Sequence, residues 1–156
     1  MNRLPSEKRR QILHLMVEGN SIRGIARLVD VSPVTVLRYL ELAGEACSAF
    51  HQQHVRNVRS KKVQCDEIWS FNYCKKASLK TAKAAPVHAG DVWTWTAIDD
   101  SKLIVTWLIS DRSLEAASDF IFDLAARIAD DVKDDLQITT DGLRSKFNVY
   151  ASLKKR

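Results

Sequence analysis

The sequence predicts an α + α/β chain: a three-helix bundle with a helix-turn-helix, then a partial β-β-β-α-β domain. Three observations lead there. Apolar residues recur at helical 3–4 spacing up to about residue 55. Beyond residue 62 they alternate at the period of a strand, in segments rich in β-branched and aromatic side chains. Charge divides at the same place. Of a formal net +5 over 156 residues, 1–62 carry eleven Lys and Arg against five Asp and Glu, and 63–156 carry thirteen against fourteen. The expected organisation is a helical domain over 1–50, a basic linker over 51–62 and a mixed domain over 63–156.

The first helix is expected over 5–18, "PSEKRRQILHLMVE", started by Pro5 and Ser6 and striped by Ile12, Leu13, Met16 and Val17. Gly19–Asn20 ends it. Ser21 caps a short second helix, "IRGIARLV". After the turn "DVS", Ser32 is the N-cap and Pro33 the first position of a third helix running to about Val55. "KVQCDEIWSFNYC", "DVWTWTAIDD" and "KLIVTWLISD" form a three-strand meander. A basic loop with Lys75, Lys76, Lys80 and Lys83 separates the first two strands, and the turn "DDSK" joins the second and third. "SLEAASDFIFDLAARIADDV" is an amphipathic helix capped by Ser113, with Phe120, Leu124 and Ile128 along one side. "LQITT" is a fourth strand ending at Asp141–Gly142.

Composition excludes several classes. Hydrophobic residues make up 46%, so the chain is not disordered. The three cysteines lack zinc or disulfide spacing, which suits a reducing compartment. No apolar run reaches the length of a membrane span, and "MNRLPSEKRRQ" is not a secretion signal. A cytoplasmic location follows, and the basic first part calls for a polyanionic partner.

Residues 25–40, "IARLVDVSPVTVLRYL", fit the helix-turn-helix pattern. Ile25, Ala26, Val29, Val31, Val36 and Leu40 are expected to form its core. Asp30 occupies the turn position that needs a left-handed backbone, which Asp tolerates better than most residues. The pattern points to double-stranded DNA: Ser32, Thr35 and Arg38 offered to a major groove, Arg23 and Arg27 to the backbone. A trihelical bundle making only protein contacts would share much of this pattern.

The second functional signal is "VQCDEIWSF". Two adjacent carboxylates interrupt a strand, and burying a lone charge is costly. Alternation puts Asp66 on the more polar face and Glu67 on the apolar one, unless a bulge reverses them. A fourth strand lying parallel to the first would bring Asp66 and Asp141 together. Oxygen-only ligands suit Mg²⁺ or Mn²⁺, and two such ions can activate a nucleophile and stabilise a leaving 3′-oxygen. The plainer reading pairs Asp66 with Lys61 or Lys62 and leaves Asp141 as a turn residue. The four tryptophans are assigned mainly to the core, as is Cys65, and His88 is a lone histidine.

Four stretches, "NRLPSEKR..IL....EGNSIR..ARL", "QCDEIWSF", "GDVWTWTAID...KLIV.WLISDR" and "DLAARIAD...LQITTDG", cover residues 2–142. Through them the chain resembles the insertion-sequence-one type of bacterial transposase. The resemblance implies a ribonuclease-H-like catalytic fold, with two Asp and a later Glu holding Mg²⁺ for cleavage and strand transfer. The partners implied are duplex DNA at transposon terminal inverted repeats and further copies of the chain, in the bacterial nucleoid. Carried over, Asp66 is the first acid and Asp141 the second. Leu143 stands where the family has His, and no Asp or Glu follows Asp141. The end of the chain reads as truncated or frameshifted, with 142–156 as a segment that could cover the sheet edge. Enzymatic activity is therefore left open against a non-catalytic role occupying terminal repeats.

Overall fold

A computed structural model describes residues 4–140 and divides the chain into two compact units, one up to His54 and one from Val55 onward. In the first unit, α1 (Ser6–Val17), α2 (Ile22–Val29) and α3 (Pro33–His54) enclose a small core. Ser21 caps α2 by accepting from the Gly24 N–H at 3.1 Å. Ser32 caps α3 by accepting from the Thr35 N–H at 3.1 Å. Between these helices Asp30 takes the left-handed conformation expected of it, at φ 55° and ψ 63°.

The core membership differs from expectation at several places. Ile12, Ile25, Ala26, Val29 and Val36 are buried, with Leu15, Met16, Val31 and Tyr39 packed against them. Leu40, expected inside, is 46% exposed. Positions 36 and 39 share the inward face of α3, so Tyr39 takes the place that the i+4 residue was expected to fill. On α1 the inward stripe is Ile12, Leu15 and Met16, while Val17 is exposed.

The second unit contains β1 (Lys62–Asn72), β2 (Gly90–Asp99), β3 (Ile104–Ser110), α4 (Leu114–Arg127) and β4 (Gln137–Thr140). This is the β-β-β-α-β order that the sequence predicts. The sheet order is β3-β2-β1-β4. β1 is antiparallel to β2, and β2 to β3, whereas β4 runs parallel to β1. Asp99 shapes the β2–β3 turn by accepting from the N–H groups of Ser101 and Leu103, each at 2.9 Å.

α4 packs its Ala116, Ala117, Phe120, Ile121 and Leu124 on the face made by Val63, Cys65, Trp95, Ala97 and Val105. Fully burying Trp95 or Phe120 contributes about 2 kcal/mol or more by transfer alone. α4 ends earlier than its apolar pattern suggests. Ile128 is extended and bridges in parallel to Val58. Val58 N–H donates to Arg127 O at 2.8 Å, and Ala129 N–H to Val58 O at 3.0 Å. The stretch read as a linker is thus helical up to His54, and Val58 belongs to the second unit's hydrogen bonding.

The tryptophans separate instead of sharing the core. Trp95 is fully buried, Trp93 is half-buried, and Trp69 and Trp107 are both over 40% exposed. Trp107 stands opposite Thr96, on the face away from α4. Trp69 shares the face of Trp95 but lies further along the hairpin, where the burial of β1 gives out.

Candidate functional site

The pairing of β1 with β2 is continuous from Val63↔Asp99 to Asn72↔Gly90, so no bulge reverses the faces of β1. Cys65 is buried, Glu67 has a side chain only 1% exposed, and Asp66 between them is exposed. Sheet alternation therefore assigns the two carboxylates opposite surroundings. Arg112, from the β3–α4 connection, brings Nη2 to 3.7 Å from Glu67 Oε2 and stacks over the Trp93 ring at 4.6 Å. Glu67 is a charge buried beside a cation in the helix-covered layer.

Asp66 is placed otherwise. Its Oδ1 accepts from the Glu67 N–H at 2.8 Å, and its backbone carbonyl accepts from Thr96 Oγ1 at 3.3 Å. Among the described residues it makes no ion pair. Of the lysines in the alternative reading, Lys61 is engaged by Asp135 at 3.4 Å. A solvent-facing carboxylate with open lone pairs is a suitable ligand for a hard divalent cation.

β4 lies beside β1 in parallel, pairing Lys62↔Gln137 through Cys65↔Thr140. Thr140 is thus level with the residue that precedes Asp66. Asp141 lies outside the described residues, as does the 142–156 segment. Among the described residues no three His, Cys, Asp or Glu side chains come together as a metal cluster. The donor chemistry at Asp66 fits Mg²⁺ or Mn²⁺, and the described residues supply one ligand toward it.

In the first unit, Arg23 and Arg27 are exposed one helical turn apart on α2. Ser32 and Thr35 are joined by a 2.8 Å hydroxyl–hydroxyl hydrogen bond at the start of α3. Their side chains fix the first turn of that helix. Arg38 is exposed one turn further along, on a surface shared with Val34 and Leu37, which are 74% and 50% exposed. Exposed apolar groups beside an arginine suit contact with thymine methyls and guanine in a major groove.

Sequence reasoning assigned Trp69 with the other tryptophans mainly to the core, and gave Phe71 and Arg112 no role. Alternation does put Trp69 and Phe71 on one face, but where the cover of α4 ends depends on packing. No helix of the described residues is long and apolar enough to cross a membrane.

No family model and no curated protein matches the sequence. The chain is similar in structure to three Mos1 assemblies. For a pre-cleavage Mos1 transpososome the TM-score is 0.43 at 13% identity, covering 99% of this chain and 59% of that one. For the Mos1 strand transfer complex the values are 0.39, 13%, 99% and 57%. For the Mos1 transposase paired-end complex with the left transposon end they are 0.35, 12%, 98% and 59%. The chain spans less than three fifths of the length of these structures.

Proposed function

We propose that this chain is a transposase-related DNA-binding protein of the insertion-sequence-one type. In this reading α2 and α3 hold transposon terminal inverted repeats, through Arg23, Arg27, Ser32, Thr35 and Arg38. The second unit is a partial ribonuclease-H-like domain in which Asp66 and Asp141 bind Mg²⁺ or Mn²⁺. The protein would act in the bacterial nucleoid, with further copies of itself. The observation that carries the reading is Asp66: an exposed carboxylate without an ion pair among the described residues, beside a parallel strand whose Thr140 immediately precedes Asp141.

A divalent metal held by Asp66 and Asp141 would supply charge neutralisation for phosphoryl transfer and activation of the attacking oxygen. The chain's own part is simpler. β1 fixes Asp66, the Glu67 amide orients its Oδ1, and Arg112 stands beside the buried carboxylate of Glu67. A second reading is a non-catalytic protein that occupies terminal repeats through the same exposed side chains of α2 and α3. Both readings require repeat binding.

The deciding experiment incubates the full chain with a duplex of the inverted repeats flanking its coding sequence, with Mg²⁺ or Mn²⁺. Nicking that vanishes in Asp66→Ala establishes the enzyme. Tight binding without nicking establishes the second reading. Binding no tighter than to random duplex rejects both.

A further inference from the structure

The distal part of the β1–β2 hairpin carries aromatic rings where a soluble sheet would normally be polar. On the face that α4 covers further back, Trp69 is 41% exposed and Phe71 49%. Their ring centroids are 5.8 Å apart with planes tilted by 43°. Trp69 stands directly opposite Trp93. A cation lies over each indole: Lys75 Nζ is 5.2 Å from the Trp69 centroid, and Arg112 covers Trp93. Trp69 and Phe71 therefore offer two accessible π-faces tilted against each other, with Lys75 over the first and Asp91 opposite the second.

The loop between the two strands supplies more positive charge. From Tyr73 to Gly90 it contains Lys75, Lys76, Lys80 and Lys83 and no carboxylate. The rest of 63–156 carries nine basic residues against fourteen acidic. Four of the thirteen basic residues over 63–156 thus fall in this one loop, with Lys75 over the Trp69 ring. Among the described residues none of the four lysines is in an ion pair. The loop is also tied down. Tyr73 Oη donates to Lys83 O at 2.7 Å, Asn72 Nδ2 to His88 O at 3.1 Å, and Lys76 N–H to Asp91 Oδ1 at 2.9 Å.

We propose that this end of the hairpin binds unpaired DNA, with nucleobases stacked on Trp69 and Phe71 and phosphates neutralised by Lys75, Lys76, Lys80 and Lys83. The chemistry selects that partner. Every base presents a π-face, so stacking suits a strand of any sequence. In a duplex those faces are already stacked, and protruding side rings cannot reach them. A protein partner fits less well, because lysine is depleted from protein interfaces. Lys75 would leave the Trp69 ring for a phosphate as a base takes its place. The proposal rests on the reading above only in choosing DNA over RNA; it needs neither the α2–α3 surface nor a metal.

The test uses the full chain and a labelled thymidylate oligomer of about 12 nucleotides, a length within the usual site sizes of such surfaces. Fluorescence anisotropy gives its affinity, and a blunt duplex of equal length taken from the terminal repeat is measured beside it. The wild type should bind both the single strand and the duplex. The double substitution Trp69→Ala/Phe71→Ala should weaken oligomer binding by roughly tenfold or more and leave duplex binding in place. Arg38→Ala should do the reverse, which separates failure here from failure of the helix surface. Trp69→Phe keeps a ring and tests the contact without truncation: oligomer-induced quenching of tryptophan emission should fall sharply. An unchanged affinity in the double variant, quenching unaltered in Trp69→Phe, or equal losses on single strand and duplex would overturn the proposal.

Discussion

Asp123 and Arg127 show how one buried charge is held in the second unit. The Arg127 side chain is 1% exposed, and its Nε donates to Asp123 Oδ2 at 2.7 Å. Nη1 donates to Val55 O at 3.2 Å, and the Thr106 hydroxyl donates to the same Asp123 oxygen. Burial pushes the Asp123 carboxyl up. The hydrogen bonds from Arg127 and Thr106, with the charges of Arg127 and Arg56, outweigh that and hold it below its ordinary 3.8. A carboxyl lowered by folding stabilises the fold fully above its unfolded value. That contribution is lost as pH falls through the lowered folded value. Asp123→Asn should therefore unfold with a flatter pH dependence than wild type between about pH 5 and pH 2. At neutral pH it should be less stable by about 3 kcal/mol, the low end for breaking a buried pair, because Asp123 keeps 40% exposure. Parallel melting curves across that range would refute the assignment. The i,i+4 spacing of Asp123 and Arg127 is legible in the sequence, but their burial and the further partners Thr106 and Val55, 17 and 72 residues away, are not. The left-handed turn at Asp30 is legible, because only its residue type and its place between two caps are needed.

At the scale of elements, the strands and helices follow from periodicity, while the extent of their cover does not. Alternation assigns Trp93 and Trp95 to one face, as found. It does not tell that α4 reaches Trp95, whose Nε1 donates to Asp111 O at 3.0 Å, and leaves Trp69 partly bare. Nor does it place Trp107 outside, since an outer face with Ile98, Ile104 and Ile109 is as apolar in sequence as an inner one. The end of α4 fails for a similar reason. Ile128 continues the helical stripe, but pairing with Val58 satisfies its backbone in an extended form. The same distinction fixes the cost of truncation. Trp95→Ala should destabilise by about 3–5 kcal/mol, a transfer loss plus a cavity. Trp107→Ala, 42% exposed in wild type, should cost no more than about 0.5–1 kcal/mol. Denaturant midpoints at constant slope measure both, and similar losses for the two would mean that the outer face is covered.

At the scale of the whole molecule, the helix-then-sheet order could be read directly, because the apolar period changes where the architecture does. The two units have separate cores, but the charge division at residue 62 falls inside the second unit, because Arg56, Arg59, Lys61 and Lys62 follow Val55. A duplex held on the α2–α3 surface should show strong salt dependence from counterion release. Arg38 distinguishes reading from gripping. If it contacts a base edge, Arg38→Ala should lose roughly 1–3 kcal/mol on the terminal repeat and much less on random duplex. The slope of log K against log salt would then be nearly unchanged. If it contacts only phosphate, the loss should be equal on both, and the slope should shrink by about 0.9. Arg23→Ala and Arg27→Ala should follow the second pattern, because their helix precedes the one offered to the groove. Titrations of repeat and random duplex at several salt concentrations separate these outcomes. No salt dependence in the wild type would remove DNA from the list of partners for this face, whatever the fold.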